Sequence, residues 1–355
     1  MNTLLAKPAP CLKKLEILGP YKWVAPANVF GGTAPKLEEV LVQSCALPWR
    51  SPILSDLTKL TLHRVGESSP QLNDLMDILA ASPRLRDLKI AFTTIHITPG
   101  SRSRRVRLPN LRSVEMVYLS REVMMRILAS IDAPLSVDWD FFIRVDESEY
   151  MALEEQLAAV SNQLAAHAQN VRNTPSTLTL QMGYWREEED DWDAILKYEA
   201  EREDLGSFTI GVMTHPGVHV EVLARLAGRI QPYAKSSPPK LRFLKMHRVH
   251  SHDDDGHLLC RLHRIFPNTQ DITLVDLDFA ALALAIYRLF PDPTTTGMSP
   301  LFPHLTKLTL KQDSHGDFAF WLPDYRRRSH KGGFDPLPPN LTLQLEGGWI
   351  RARGL

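Results

Sequence analysis

The densest run of side chains able to do chemistry is His247-Arg-Val-His250-Ser-His252-Asp253-Asp254-Asp255-Gly-His257, with His263 beyond it. Imidazoles and carboxylates so close together are the donors a zinc or other transition-metal site uses. Neither zinc-finger spacing nor H-E-x-x-H is present, however. The run also leaves a predicted strand and enters a predicted helix, which puts Asp253 to Asp255 near that helix's positive end. A polar loop is therefore the expectation, with no metal and no cofactor. A calcium loop is disfavoured because acidic ligands do not continue at the required positions.

Other charged runs read the same way. Ser101-Arg-Ser-Arg-Arg-Val-Arg107 could contact nucleic acid or serve as a localisation signal, but no aromatic platform is interleaved with it, so a solvated loop is expected. Glu187 to Asp193 reads as a wet, acidic helix start, and Arg326 to Arg328 as an exposed basic turn. Gly31-Gly32 lacks the lysine and the serine or threonine of a phosphate loop. There is no G-x-S-x-G elbow and no cysteine–histidine signature, so no catalytic residue is nominated and no enzyme is expected. Trp49, Trp139, Trp185, Trp192 and Trp321 are either interface anchors or partly buried packing groups.

Bulk composition narrows the classes further. The 355 residues carry 41 basic and 41 acidic side chains, a formal net charge of zero, which disfavours a general grip on nucleic acid or an anionic membrane. Cys11, Cys45 and Cys260 lie far apart with no C-x-x-C pair, as expected of scattered thiols in a reducing compartment. No secretory signal stands out. The longest apolar run, Phe279 to Leu289, is interrupted by Arg288 and is too short to span a bilayer. The expectation is a soluble protein of the cytoplasm or nucleus.

The elements that must position these groups come from a repeat. One phrase recurs: proline, a spacer, leucine, two variable residues, an aliphatic, one variable residue, another aliphatic. It appears as Pro10-Cys-Leu12-Lys-Lys-Leu15-Glu-Ile17 and Pro35-Lys-Leu37-Glu-Glu-Val40-Leu-Val42, and without proline as Leu57-Thr-Lys-Leu60-Thr-Leu62. Pro83-Arg-Leu85-Arg-Asp-Leu88-Lys-Ile90 and Pro109-Asn-Leu111-Arg-Ser-Val114-Glu-Met116 continue it. Pro239-Lys-Leu241-Arg-Phe-Leu244-Lys-Met246 and Pro303-His-Leu305-Thr-Lys-Leu308-Thr-Leu310 resume it later. Weaker copies start at Leu135, Leu178, Phe208, Ile272 and Leu341.

The first leucines of the N-terminal copies fall at 12, 37, 57, 85 and 111, steps of 25, 20, 28 and 26 that lie within or close to the leucine-rich-repeat period. The L-x-x-L-x-L core of such a repeat is a strand with alternate side chains inward, which accounts for polar residues in the variable slots. Helices are expected between strands. Ser69 as N-cap and Pro70 at N1 precede an apolar stripe of Leu72, Leu75, Met76 and Leu79. Ser120 opens a second helix, and 253–266 and 280–289 read as two more.

The fold class expected is thus α/β: an irregular leucine-rich-repeat-like solenoid of strand–helix units, its parallel sheet on the concave face. One such solenoid covers 1–355, with an elaborated helical middle at about 138–204, where 146–169 reads as an alanine-rich helix and 181–203 is acidic. A boundary between two subdomains near 138–175 is the alternative.

The N-terminal half resembles the leucine-rich-repeat region of basidiomycete F-box proteins. The phrases that carry this are Leu4-Leu5-Ala6-Lys7-Pro8-Ala9-Pro10-x-Leu12-x-x-Leu15; Val29-Phe30-Gly31-Gly32-x-Ala34-Pro35-x-Leu37; Leu47-Pro48-Trp49-Arg50-Ser51-Pro52-Ile53-Leu54-x-x-Leu57-Thr58; and Leu75-x-x-Ile78-Leu79-x-x-Ser82-Pro83-x-Leu85-x-x-Leu88. The resemblance covers about residues 4–137. It implies a substrate-recognition surface within a cullin-RING ubiquitin ligase, whose F-box helices dock a Skp-type adaptor. No F-box phrase is visible before the first copy, so that adaptor is a partner only if an F-box lies upstream of this chain. The asparagine or cysteine ladder of such repeats is nearly absent: its slot holds Cys45 once, but Pro20, Val65, Thr93, Leu119, Val249 and Asp313 elsewhere. The turns must satisfy their backbone groups by other means.

The function expected is protein–protein interaction through the outward slots of the concave strands. These are Lys13, Lys14, Glu16, Glu38, Glu39, Lys59, Arg86, Asp87, Lys89, Arg112, Glu115, Arg242, Lys245 and Lys307. Nine are basic and five acidic, which favours a partner presenting carboxylates. A repeat scaffold with no ligase role is the competing reading, and for any single slot an ordinary solvated strand face is the plainer one.

Overall fold

The computed structural model describes residues 5–66, 68–98, 104–144, 153–172, 174–184, 192–202, 204–214, 219–234, 237–244, 254–275, 277, 285, 289–290, 301–311 and 342–346. Within them the chain is mixed α/β, with mostly parallel strand pairing and few helices. It divides into two compact units, one of Met1–Arg144, Met151–Gln163 and Glu203–Ile210, the other of Val145–Tyr150, Leu164–Arg202 and Gly211–Leu355.

The first unit is built from β1 (Lys14–Val24), β2 (Glu39–Ala46), β3 (Lys59–His63), α1 (Leu72–Ala80), β4 (Asp87–Ala91), β5 (Val106–Arg107), β6 (Ser113–Val117), α2 (Arg121–Ser130), β7 (Ile131–Asp132) and β8 (Asp138–Arg144). The longer strands pair in parallel in the order β1-β2-β3-β4-β6-β8, and β5 pairs with β7 separately. The repeat phrases lie in strict register. Leu15, Val40, Leu60, Leu88, Val114 and Trp139 form one rung, and Ile17, Val42, Leu62, Ile90, Met116 and Phe141 the next but one. Every one of these side chains is buried. With strands about 4.8 Å apart, each copy covers the apolar face its neighbour leaves open.

The weak copy at Leu135-Ser-Val137 is displaced. Leu135 is 53% exposed, and the inward positions of β8 belong to Trp139 and Phe141, whose rings stack 5.9 Å apart. Trp139 is thus a core residue, not an interface anchor. Phe208, at the head of a later strand, adds a third ring 5.3 Å from Phe141. Just before it, Gly206 runs so close to the 136–137 backbone that any side chain would strike the Val137 carbonyl.

Connections on the far side of the ladder change character along the chain. Short 3-10 turns at Val29–Gly32 and Pro52–Leu54 serve the first copies, with Val29, Phe30, Ile53 and Leu54 buried, and α-helices serve the later ones. Leu72, Leu75, Met76, Ile78 and Leu79 pack the inner face of α1. This helix starts two residues later than its sequence suggests, with extended Gln71 at the N-cap instead of Ser69. Ser69 is buried and donates to the Thr94 carbonyl, and Gln71 bridges in parallel to His96, so the chain stays extended through Pro70. Ser120 does occupy the N-cap of α2, where its carbonyl accepts from Met124 N at 3.0 Å.

Helix α3 (Leu153–Asn170) follows, overlapping the expected 146–169 stretch and ending one residue past it. The chain continues with β9 (Ser176–Tyr184), β10 (Trp192–Ala200), β11 (Ser207–Thr214, of which Ser207–Ile210 belong to the first unit), α4 (His219–Ile230), β12 (Lys240–Leu244), α5 (Asp254–Ile265), β13 (Asp271–Val275), β14 (Lys307–Lys311) and β15 (Thr342–Glu346). The helical reading of the middle is corrected here: β9 and β10 are antiparallel strands, with Leu196 facing Leu180 and Tyr198 facing Leu178. Ala194, Leu196 and Tyr198 are buried while Ile195, Lys197 and Glu199 are less so, a period of two that the acidic composition nearby obscures. Then β9, β12, β13, β14 and β15 pair in parallel.

Register corrects two more copies. Leu241 sits level with Leu178, Ile272 and Leu308, and Phe243 with Leu180, Leu274 and Leu310. The inward pair of β12 is therefore Leu241 and Phe243, at 0% and 1% exposure, three residues before the Leu244 and Met246 of the phrase at Pro239. In β15 the residues level with Leu308 and Leu310 are Leu343 and Leu345, two residues past the expected pair. Expected helix 280–289 falls almost wholly outside the described residues.

Candidate functional site

The side of the first unit's ladder opposite the core presents the slots nominated above. Lys14, Glu39, Lys59 and Asp87 share one rung with Ser113 and Asp138. Glu16, Lys89 and Glu115 share another with Leu41, Thr61 and Asp140. Lys13, Glu38, Arg86 and Arg112 stand at the feet of the strands, where each main-chain carbonyl accepts at least one N–H from the next copy, as Lys13 O does from Glu38 N at 2.8 Å and Glu39 N at 3.0 Å. Arg242 and Lys307 lie in the second unit, Arg242 level with Thr179 and Thr273, and Lys307 level with Asp271. Lys245 lies outside the described residues.

Several slots neutralise one another. Lys14 Nζ and Glu16 Oε1 are 2.6 Å apart along β1, Lys89 Nζ and Glu115 Oε1 are 2.7 Å apart between β4 and β6, and Lys307 Nζ lies 3.9 Å from Asp271 Oδ2. Glu16 raises the Lys14 ammonium above its ordinary value through this hydrogen bond and its charge. All are solvent-facing, so each pair stabilises little.

A second feature, absent from the slots nominated above, lies at the carboxyl ends of the strands. Ser44, Arg64, Phe92 and Tyr118 have φ of 57°, 51°, 51° and 52°, the left-handed region that L-residues avoid. Each stands seven places after the first leucine of its copy, at 37, 57, 85 and 111. The reason is the ladder. Arg64 N donates to Ala91 O at 2.9 Å, Phe92 N to Val117 O at 2.9 Å and Tyr118 N to Phe142 O at 2.8 Å, so each turn prolongs the strand pairing by one bond. Non-glycine residues in this conformation cost on the order of 1 kcal/mol each, and such strain clusters at functional sites.

The side chains at this edge form a ridge. The Phe92 and Tyr118 ring centroids are 4.8 Å apart, His63 meets Phe92 edge-on at 5.6 Å, and the Arg64 guanidinium stands over the Phe92 ring at 5.6 Å. Phe92 is 40% exposed, one of few large apolar side chains so open among the described residues. His63 Nδ1 is buried without a hydrogen-bond partner. Burial, and then the charges of Arg64 and Lys89, hold the His63 imidazole below its ordinary value, with Glu115 opposing. A sequence signal for the ridge did exist: aromatic residues at the same phase of two successive copies.

The slot after these residues, left without asparagine, is served otherwise. Thr93 Oγ1 donates to Ala91 O at 2.9 Å and accepts from Val65 N at 3.3 Å, and buried Cys45 directs its thiol at Ile17 O. Other groups singled out by the sequence make contacts within the chain. His263 Nδ1 accepts from Phe302 N at 3.1 Å with its ring edge-on to Phe302, and Trp49 Nε1 donates to Ser68 O at 2.7 Å. Arg104 pairs with Asp77 at 3.6 Å. The three cysteines are free thiols. His247, His250, His252, Trp185 and Trp321 lie outside the described residues, as do the side chains of His257 and Trp192. Among the described residues, no group of three potential ligands could hold a metal ion, and no helix is long and apolar enough to cross a membrane.

Comparison with protein-family models, with curated proteins and with solved structures returns no match for this chain.

Proposed function

We propose that this chain is an intracellular protein-binding module, a leucine-rich-repeat-like solenoid that captures another protein on the polar side of its parallel ladder. The observation that supports this best is the register of the first unit. Six successive strands hold their outward slots at one level, which makes a wide, rigid array of Lys, Arg, Glu and Asp on a fixed scaffold. Rigid placement of chargeable groups lowers the ordering cost of association and lets charge pattern select the partner. Balanced charge suits a protein surface better than a polyanion.

Within that reading, the resemblance of residues 4–137 to F-box repeat regions supports substrate recognition for a ubiquitin ligase, and the competing role is a scaffold outside any ligase. Mass spectrometry of what co-purifies with the protein, tagged at its C-terminus and expressed from its own locus, separates them. A Skp-type adaptor and a cullin among the partners favour the ligase role, and a partner set without them favours the scaffold. Charge reversal of the face, Arg86→Glu with Lys89→Glu, should weaken capture without unfolding the protein. Unchanged capture would remove the face from consideration.

A further inference from the structure

We infer that the ridge of His63, Arg64, Phe92 and Tyr118 is the anchor of this binding face, and that it takes an extended partner segment in which a carboxylate adjoins an aromatic side chain. This rests on the protein-binding reading above. The ridge differs from the polar slots in two ways. Its backbone is held in the left-handed region at Arg64, Phe92 and Tyr118 in successive copies, fixed there by main-chain bonds to the next copy. Its apolar surface is open to solvent at Phe92 and continuous with Tyr118. Two aromatic rings in contact, Phe92 exposed and Tyr118 half-buried, have the character of a binding hot spot.

Charge sets the chemistry of the occupant. Arg64 is exposed, and among the described residues its guanidinium contacts the Phe92 ring but pairs with no carboxylate. Lys89, by contrast, is already engaged by Glu115. An incoming carboxylate would meet a guanidinium preoriented by its aromatic neighbour, which favours a directed, charge-assisted pair. An adjoining aromatic ring would extend the Phe92–Tyr118 stack. Glu38, Glu39 and Asp87 on the same ladder disfavour a phosphate backbone or an anionic lipid surface in place of a peptide. No bond is made or broken in this association.

The probe is an array of synthetic peptides in which aspartate, glutamate, asparagine and lysine are permuted beside phenylalanine, tyrosine, leucine and alanine, overlaid with the full chain. Retention on spots with a carboxylate beside an aromatic residue, weaker by roughly tenfold on the asparagine and alanine counterparts, is the expected result. Uniform retention, no retention, or a preference for lysine overturns it. Arg64→Gln should abolish the preference for aspartate over asparagine, and Phe92→Gly the preference for aromatic over alanine. Glycine accepts the backbone at position 92 without strain, so an unchanged circular dichroism spectrum should accompany that loss. If both variants keep the wild-type preferences, the ridge is not the anchor. The cellular partners discriminate further: capture lost in the Arg86→Glu, Lys89→Glu chain but untouched by Arg64→Gln and Phe92→Gly keeps the face and overturns the ridge. Capture indifferent to all four substitutions overturns both.

Discussion

Phe92 and Tyr118 stand in the same backbone conformation at the ends of neighbouring strands, φ 51° and 52°, with their rings 4.8 Å apart. The ring contact and the continued ladder bond from Phe92 N to Val117 O hold a conformation that neither residue prefers by itself. Local propensity would place glycine or asparagine there, and tertiary pairing overrides it.

The first prediction follows from that conflict. Phe92→Ala removes the ring contacts and keeps the strained backbone, whereas Phe92→Gly removes the contacts and relieves the strain. The glycine variant should therefore be the more stable of the two, by about 1 kcal/mol, in urea unfolding. The reverse order would mean that position 92 does not hold its left-handed conformation in solution.

A register test bears on the second unit. Leu241 is fully buried at the level of Leu178, Ile272 and Leu308, while Leu244 at the end of β12 is half-buried. Leu241→Ala should cost about 2–5 kcal/mol, and Leu244→Ala distinctly less. Equal losses, or a larger loss at Leu244, would restore the frame in which Leu244 and Met246 point inward.

That copy shows where a sequence pattern runs out. Leu241-Arg-Phe-Leu244 supports either of two frames, because leucine recurs after three residues and an aromatic intervenes after two. The five N-terminal copies were legible because proline or leucine spacing and alternation agree in each. The sixth strand, β8, was misplaced because its inward residues are Trp139 and Phe141, which an aliphatic template passes over. For the candidate site, the outward placement of Lys14, Glu16, Glu39, Lys59, Asp87, Lys89 and Glu115 followed from alternation alone, whereas Lys13, Glu38, Arg86 and Arg112 stand just before their strands. The ridge did not, since left-handed turns at arginine, phenylalanine and tyrosine arise from hydrogen bonds between copies, not from the residues themselves.

Thr93 offers a third test, of the turn that lacks an asparagine. Its buried hydroxyl both donates to Ala91 O and accepts from Val65 N, joining successive copies. Thr93→Val keeps the shape and leaves a buried main-chain N–H unsatisfied, which should cost about 1–3 kcal/mol in denaturant unfolding. Thr93→Ser retains the hydroxyl and should recover most of the loss. No difference between valine and serine would mean that water serves these groups instead.

The last prediction concerns pH and His63. Burial depresses its imidazole first, and the Arg64 and Lys89 charges act in the same direction, against Glu115. The folded state thus binds the His63 proton more weakly than the unfolded chain, whose imidazole titrates near pH 6.5. With more protons on the unfolded side, stability rises with pH across the window between the depressed folded value and about 6.5, and falls as pH drops through that window. Protonation would also create a second N–H donor at Nδ1, an atom that is buried without a partner. His63→Gln removes this titration. The expected outcome is that the wild-type chain loses more stability than the Gln variant between about pH 7 and about pH 5, by denaturant unfolding at each pH. Identical losses would place the His63 proton in the same environment in both states, and a shallower loss in the wild type would reverse the sign and point to Glu115 as the dominant neighbour.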